Sequence, residues 1–243
     1  MKEMTFIEHL EDLKKTVVRV VIILVVSFFV TYAFSSQISA FLLRPIKEAL
    51  AATGGTLIVT GLFDRILAEL LVTFWASLIV SSPFWFYEVW RFLKPALYEG
   101  EVKVVRPFLF FGFFLFVAGV SFGYFLVFPN VFPIILELGV DAENALNAYD
   151  YLSLSSKLMA MLGLIFQLPN VMLILGFMGL VTKYSLRSWR RYVYVILAIV
   201  SAVITPPDPF TMMAMWIPLV CLYELGIWAV AAFVHPYLEK KHS

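Results

Sequence analysis

A single cysteine, Cys221, stands in 243 residues, so no disulfide framework can hold this chain together. Histidine is almost as scarce: His9, His235 and His242 are scattered without metal-ligand spacing, and no metal role is assigned to them. Charge is thin as well. Asp, Glu, Lys and Arg make up 14% of the chain, against about 25% in an average soluble domain. The net charge is +1, and there is no internal repeat, low-complexity stretch, nucleotide-binding motif or soluble-domain boundary. No cofactor, nucleic-acid partner or catalytic constellation is expected, and the chain is not read as an enzyme.

What remains is apolar. Hydrophobic residues make up 62% of the chain, Phe alone contributes 24, and the mean hydropathy is +0.91. A globule of this size could not hide so much apolar surface from water. A spanning helix needs about 20 mostly apolar residues. Such runs lie at 17–36, 66–87, 107–131 and 152–181, followed by a shorter one at 192–205 and a last one at 210–234. Gly54-Gly55, Pro95, Glu99-Gly100, Pro206-Pro207 and Pro209 punctuate the breaks. The expectation is an all-α polytopic membrane protein, one membrane domain over 1–243 with six transmembrane helices. The first run is read as a retained span, because a secretory signal core is only about 7–15 residues long.

The fifth run is unusual. At about 1.5 Å per residue it covers only about 21 Å of a hydrocarbon core about 30 Å thick. Pro206-Pro207 and Pro209 forbid its continuation, and Pro218 interrupts the sixth run. A short helical hairpin, or a tilted or re-entrant pair, leaves a thin place in the bilayer.

Orientation follows from the basic residues. With the N-terminus inside, 14 of the 18 Lys and Arg fall on the cytoplasmic side. Only Arg44, Lys47 and Arg65 lie in outer loops, with Lys157 near an outer helix end. Both termini are therefore expected in the cytoplasm.

Two polar side chains lie at mid-membrane depth, where a charge costs a few kcal/mol and calls for a partner or a wet cavity. Gln167 sits in Phe166-Gln167-Leu168-Pro169, where it can bond across helices or satisfy a carbonyl freed by Pro169. Glu224 lies near the midpoint of the sixth run. It is expected to be protonated or bonded to hydroxyls such as those of Ser77, Ser81 or Ser121, with no intramembrane basic partner.

The N-terminus breaks the basic pattern. Residues 1–16 read as an amphipathic helix on the inner surface, opened by the capping box Thr5-Phe6-Ile7-Glu8, with Phe6, Leu10, Leu13 and Val17 on one side. Its wet side carries Glu8, Glu11 and Asp12. The first inner loop adds Glu88, Glu99 and Glu101 beside Trp90, Phe92 and Leu93. Such acids can neutralise neighbouring lysines or accept guanidinium groups bidentately.

These segments carry a family resemblance. His9-Leu10-Glu11-Asp12-Leu13-Lys14 resembles the amino-terminal His-Leu-x-Glu-Leu-Arg signature of the TatC family, the receptor subunit of the twin-arginine protein translocase. Glu88-Val89-Trp90-Arg91-Phe92 with Lys94-Pro95-Ala96-Leu97-Tyr98-Glu99-Gly100-Glu101 resembles its first cytoplasmic loop. Phe166-Gln167-Leu168-Pro169 is similar to its mid-span Phe-Glu-x-Pro, and Thr205-Pro206-Pro207-Asp208 to its outer turn. The match runs nearly end to end.

The resemblance implies a concave, glove-like bundle in a bacterial inner membrane that transfers folded proteins independently of Sec, driven by the protonmotive force. It implies binding of twin-arginine signal peptides by Asp12 with Glu11 adjacent, by Glu101 and by Phe92. Gln167 and Glu224 would then be intramembrane polar positions where the small single-span partners TatA and TatB dock, and Asp208 would mark the outer turn. Self-association in a larger complex is implied as well. Asp12 and Lys14 replace the family's usual Glu and Arg, and Gln167 replaces an intramembrane Glu, leaving a hydrogen-bonding role at that depth. The competing reading is a proton- or ion-coupled small-solute transporter, but such carriers show several charges and facing broken helices around a midplane site, and only Gln167 and Glu224 approach that.

Overall fold

In hydrocarbon every backbone N–H and C=O must bond within its own segment, so a chain this apolar answers with helices. A computed structural model describes residues 6–53, 55–59, 61, 63–96, 99–138, 145–204 and 209–235. Eleven α-helices are described: α1 (Phe6–Tyr32), α2 (Ser35–Leu42), α3 (Arg44–Thr53), α4 (Asp64–Val80), α5 (Ser82–Leu93), α6 (Glu99–Phe122), α7 (Phe128–Leu138), α8 (Ala148–Ile165), α9 (Leu168–Phe177), α10 (Lys183–Ile204) and α11 (Pro209–Ala229). Two short strands, β1 (Thr56–Ile58) and β2 (Ala145–Asn147), pair in parallel, with Leu57 opposite Leu146.

Three continuous stretches are long and apolar enough to cross a membrane: Phe110–Pro133, Ala148–Phe177 and Met212–Val234. Two bent pairs reach five if each counts as one crossing: Leu10–Tyr32 with Ser35–Ala51, turned by 81°, and Asp64–Val80 with Ser82–Leu93, turned by 54°. The short 192–205 run forms the second half of α10, whose first half carries Lys183, Arg187, Arg190 and Arg191.

Two of the breaks trace to proline. Pro83 has no N–H to donate at the start of α5, so the chain bends at Ser81. The Trp85 indole Nε1–H reaches back 3.0 Å to the Leu78 carbonyl there. Pro169 acts in the same way between α8 and α9, where Gln167 N donates to the Leu164 carbonyl at 3.0 Å in a tightened turn. A π-helical segment at Gly123–Val127 joins α6 to α7. By contrast, nothing between Phe6 and Tyr32 interrupts a helix: the segment has no Gly and no Pro. The amphipathic N-terminal segment is therefore not a separate surface helix; from Phe6 on it is the leading end of α1.

Ala148–Phe177 is the hub, 56% of its apolar window being buried against 39% for the other two crossing stretches. α6 meets it backbone to backbone. A Cβ on Gly119 would lie 2.6 Å from the Leu162 carbonyl oxygen, and one on Gly163 2.7 Å from the Phe116 ring. Only small residues permit that approach, which is how helices pack where lipid supplies no hydrophobic drive. One core gathers α2–α4 and α6–α8 around Ile46, Val72, Phe116, Phe128 and Leu162. A second joins α9–α11 around Phe177, Leu219, Tyr223 and Val230.

At the end of the bundle beyond Tyr32, α2 and α3 fold across the helices. Tyr124 and Tyr151 donate their hydroxyl protons to the Phe41 and Leu42 carbonyls at 3.0 and 2.9 Å, which pins the α2–α3 elbow. Asp64 Oδ2 accepts from Gly61 N at 2.7 Å and from Asn147 Nδ2 at 3.2 Å, tying the approach to α4 to the start of α8.

Candidate functional site

The leading turns of α1 place Glu8, Glu11, Asp12 and Lys15 on one face by their three- and four-residue spacing. Glu11 Oε1 lies 3.0 Å from Lys15 Nζ, and the two side chains are 63% and 56% exposed. An ion pair so open to water is weakly held and readily exchanged for a better partner. Asp12 is half-buried and makes no ion pair within 4.0 Å among the described residues. Beside them Glu11, Lys14, Lys15, Val18 and Arg19 border a hollow of about 380 Å³.

Glu88 behaves differently. It is buried on α5, and its Oε2 lies 2.6 Å from Arg19 Nε, with Arg91 Nη1 3.8 Å from Oε1. Arg19 also donates from Nη2 to Thr16 Oγ1 at 3.2 Å. Of the acids at this end, Glu88 is thus consumed by the fold, locking α1 to α5, whereas Glu11 holds only an exposed ion pair and the half-buried Asp12 holds none among the described residues. Phe92 lies half-buried on the last turn of α5. Glu101 is on the first turn of α6; its side chain, like the whole of Asp208, lies outside the described residues.

Between α5 and α6 runs a groove of about 620 Å³, walled by Phe86, Tyr87, Trp90 and Phe113, with Lys94 and Arg106 along it. Phe86 carries it to Gly112, where an added Cβ would sit 3.2 Å from the Phe86 ring, 3.0 Å from Gln167 Oε1 and 2.6 Å from Asn170 Nδ2. Gln167 Nε2 donates to the Gly112 carbonyl at 2.9 Å, and Asn170 Nδ2 lies 3.4 Å from Gln167 Oε1. Gln167 therefore bonds across helices to α6, and glycine at 112 makes room for it. Asn170, 5% exposed, completes this group and was not singled out from the sequence.

Glu224 corrects an expectation. It does not bond Ser77, Ser81 or Ser121, and it does have a basic partner. Arg190 Nη2 donates to Oε2, and Tyr194 Oη donates to Oε1 at 2.5 Å. The reason is where α10 begins. It starts at Lys183 and lies antiparallel to α11, which brings Arg190, assigned to the inner loop by sequence, opposite Glu224. Trp216 Nε1 donates to the Tyr194 carbonyl at 2.9 Å and Tyr223 Oη to the Leu186 carbonyl at 2.7 Å, so polar contacts zip the α10–α11 hairpin along its length.

Comparison with known proteins identifies the family and the fold. The family model described as Sec-independent protein translocase protein (TatC) matches residues 8–218. The TatC protein of Desulforapulum autotrophicum is 36% identical over 229 residues, covering 94% of this chain and 84% of its own. That of Helicobacter pylori strain J99 is 34% identical over 94% of this chain and 89% of its own, and that of Escherichia coli K12 is 33% identical over 91% and 86%. A crystal structure described as the twin arginine translocase receptor TatC superposes with a TM-score of 0.82 at 30% identity, covering 93% of this chain and 99% of that one. In fold, in sequence and in the order of its motifs, the chain belongs to the TatC family of Sec-independent protein translocase proteins.

Proposed function

We propose that this chain is the receptor subunit of a twin-arginine translocase, multi-pass in a bacterial inner membrane with both termini in the cytoplasm. It reads the paired arginines of signal peptides on folded cargo, recruits small single-span subunits of the TatA and TatB type, and self-associates in a larger complex. The orientation rests on the 14 to 4 division of basic residues.

One observation carries the reading: at an end of the bundle rich in cations, the Glu11 carboxylate is held only by an exposed lysine and the Asp12 carboxylate by no ion pair among the described residues. A planar guanidinium meets a carboxylate with two parallel hydrogen bonds, which Lys15 as a point charge cannot do, so an incoming arginine displaces the lysine from Glu11. Glu101, from α6, takes the second arginine, and Phe92 packs the apolar residues beside the pair. The signal's hydrophobic stretch then follows the aromatic groove of Phe86 and Phe113 toward Gln167. The Gln167–Asn170 group and the α10–α11 hairpin around Glu224 offer polar and short surfaces to a partner's single span, with Asp208 at the hairpin's outer turn. The chain performs no catalysis; the protonmotive force powers transport.

The test is photocrosslinking of a twin-arginine signal peptide in native membranes. Glu11→Ala combined with Glu101→Ala is expected to abolish the adduct. A twin-lysine peptide that crosslinks as well as the twin-arginine one would sink the bidentate account.

A further inference from the structure

We propose that a second cavity, at the far end of the bundle from the acidic turns of α1, holds the phosphodiester headgroup of a membrane phospholipid. The cavity measures about 370 Å³ and is enclosed by α2, α3, α4 and the start of α8. α2 and α3 fold across the bundle at 81° to α1, and the apolar run of α4 begins immediately after Arg65. That places the cavity where hydrocarbon gives way to water, the level of lipid headgroups.

Its wall is equipped for an oxyanion. Ser39 is 9% exposed, and its hydroxyl finds no hydrogen-bond partner. A buried hydroxyl left unmatched is costly, and a phosphate oxygen in the cavity is the acceptor it lacks. Lys47 is exposed and makes no ion pair within 4.0 Å among the described residues. Arg65 is held only loosely, its Nε 3.4 Å from Glu69 Oε1 and its side chain 80% exposed. The N-terminus of α8, at Ala148 and Tyr149, adds its partial positive charge. Two carboxylates line the hollow as well: Asp64 accepts from Gly61 N and Asn147 Nδ2, and Glu69 faces Arg65. Lys47 is the lining cation with no carboxylate within 4.0 Å among the described residues, and it stands with the Ser39 hydroxyl donor beside an apolar bundle surface that accommodates acyl chains. On the topology proposed above the lipid belongs to the outer leaflet; the site itself does not depend on signal recognition.

Native mass spectrometry of the delipidated full-length protein in detergent micelles tests this, with phosphatidylethanolamine, phosphatidylglycerol or diacylglycerol added. Wild type is expected to retain a phospholipid of either headgroup and not diacylglycerol. Lys47→Gln with Arg65→Gln changes two exposed residues, and retention is expected to fall about tenfold or more. Ser39→Ala is expected to weaken it by a smaller factor. Thermal unfolding of each variant without lipid checks the fold, and signal-peptide crosslinking on the same samples is expected to be unchanged, which separates this site from the receptor reading. Equal retention by wild type and the double variant overturns the proposal. So does equal retention of diacylglycerol, or an unfolding shift with inorganic phosphate as large as with phospholipid.

Discussion

Replacing Arg19 by Met removes the guanidinium that holds the buried Glu88 carboxylate while keeping most of the side chain's apolar stem. Stripping one partner from a fully buried ion pair costs about 3–5 kcal/mol. Here Arg19 is 34% exposed and Arg91 Nη1 stands 3.8 Å from the other carboxylate oxygen, so solvent and a second cation soften the loss. The appropriate figure is that of a hydrogen bond to a charged group, about 1.5–3 kcal/mol. Unfolding of the purified protein by sodium dodecyl sulfate in mixed micelles, followed by circular dichroism, reads that difference. Because α1 carries Glu11 and Asp12 while α5 carries Phe92, loosening their tether is expected to lower signal-peptide crosslinking too, although Arg19 is assigned no contact with the peptide. The double variant Arg19→Met with Glu88→Met removes both charges together and is expected to recover to within about 1 kcal/mol of wild type, with crosslinking restored. If the single variant is as stable as wild type, or the double variant is no better than the single, the Arg19–Glu88 pair is not what joins α1 to α5.

Gln167→Leu deletes the bond to the Gly112 carbonyl, which is worth about 0.6–1.7 kcal/mol between membrane helices; recovery of the complex with partner subunits, read by affinity pull-down, is expected to drop more than signal crosslinking does. Gly119→Val drives a branched side chain into the Leu162 carbonyl, and a destabilisation of about 1–3 kcal/mol or more is expected in the same unfolding assay, whereas Gly179→Ala, a position with φ of +74° and nothing within 4 Å, is expected to cost only backbone strain.

Local features of the chain were readable from sequence, and contacts between distant residues were not. Apolar length located the runs at 107–131, 152–181 and 210–234, because the thickness of the bilayer fixes how many residues a helix needs. Net acidity at Glu11 and Asp12 stood out because the rest of that side is basic. The Arg19–Glu88 pair joins residues 69 apart, and which two of several cations and acids meet depends on how α1 docks on α5. Arg190 and Glu224 are 34 apart, and their meeting follows from the register of one hairpin. Counting Arg190 as a loop residue hid it, since the helix starts nine residues earlier than the apolar run within it suggests. Other signals were present and went unused. Gly119 near the end of α6 and Gly123 at the start of the π-helical segment stand four apart, the spacing at which glycines let helices touch. Asn170 stands three after Gln167, on the same face. The 66–87 run falls on α4 and the first half of α5, and its bend depends on Pro83 outweighing apolar continuity.

α1 has one more consequence. At 27 residues it is about 40 Å long, some 10 Å more than the hydrocarbon core is thick, and it contains no hinge. It is a stiff rod whose near end bears the acidic turns and whose far end leads into the elbow of α2 and α3. A rod without a hinge moves as one body, so a tilt imposed on the acidic turns is felt at the elbow as well.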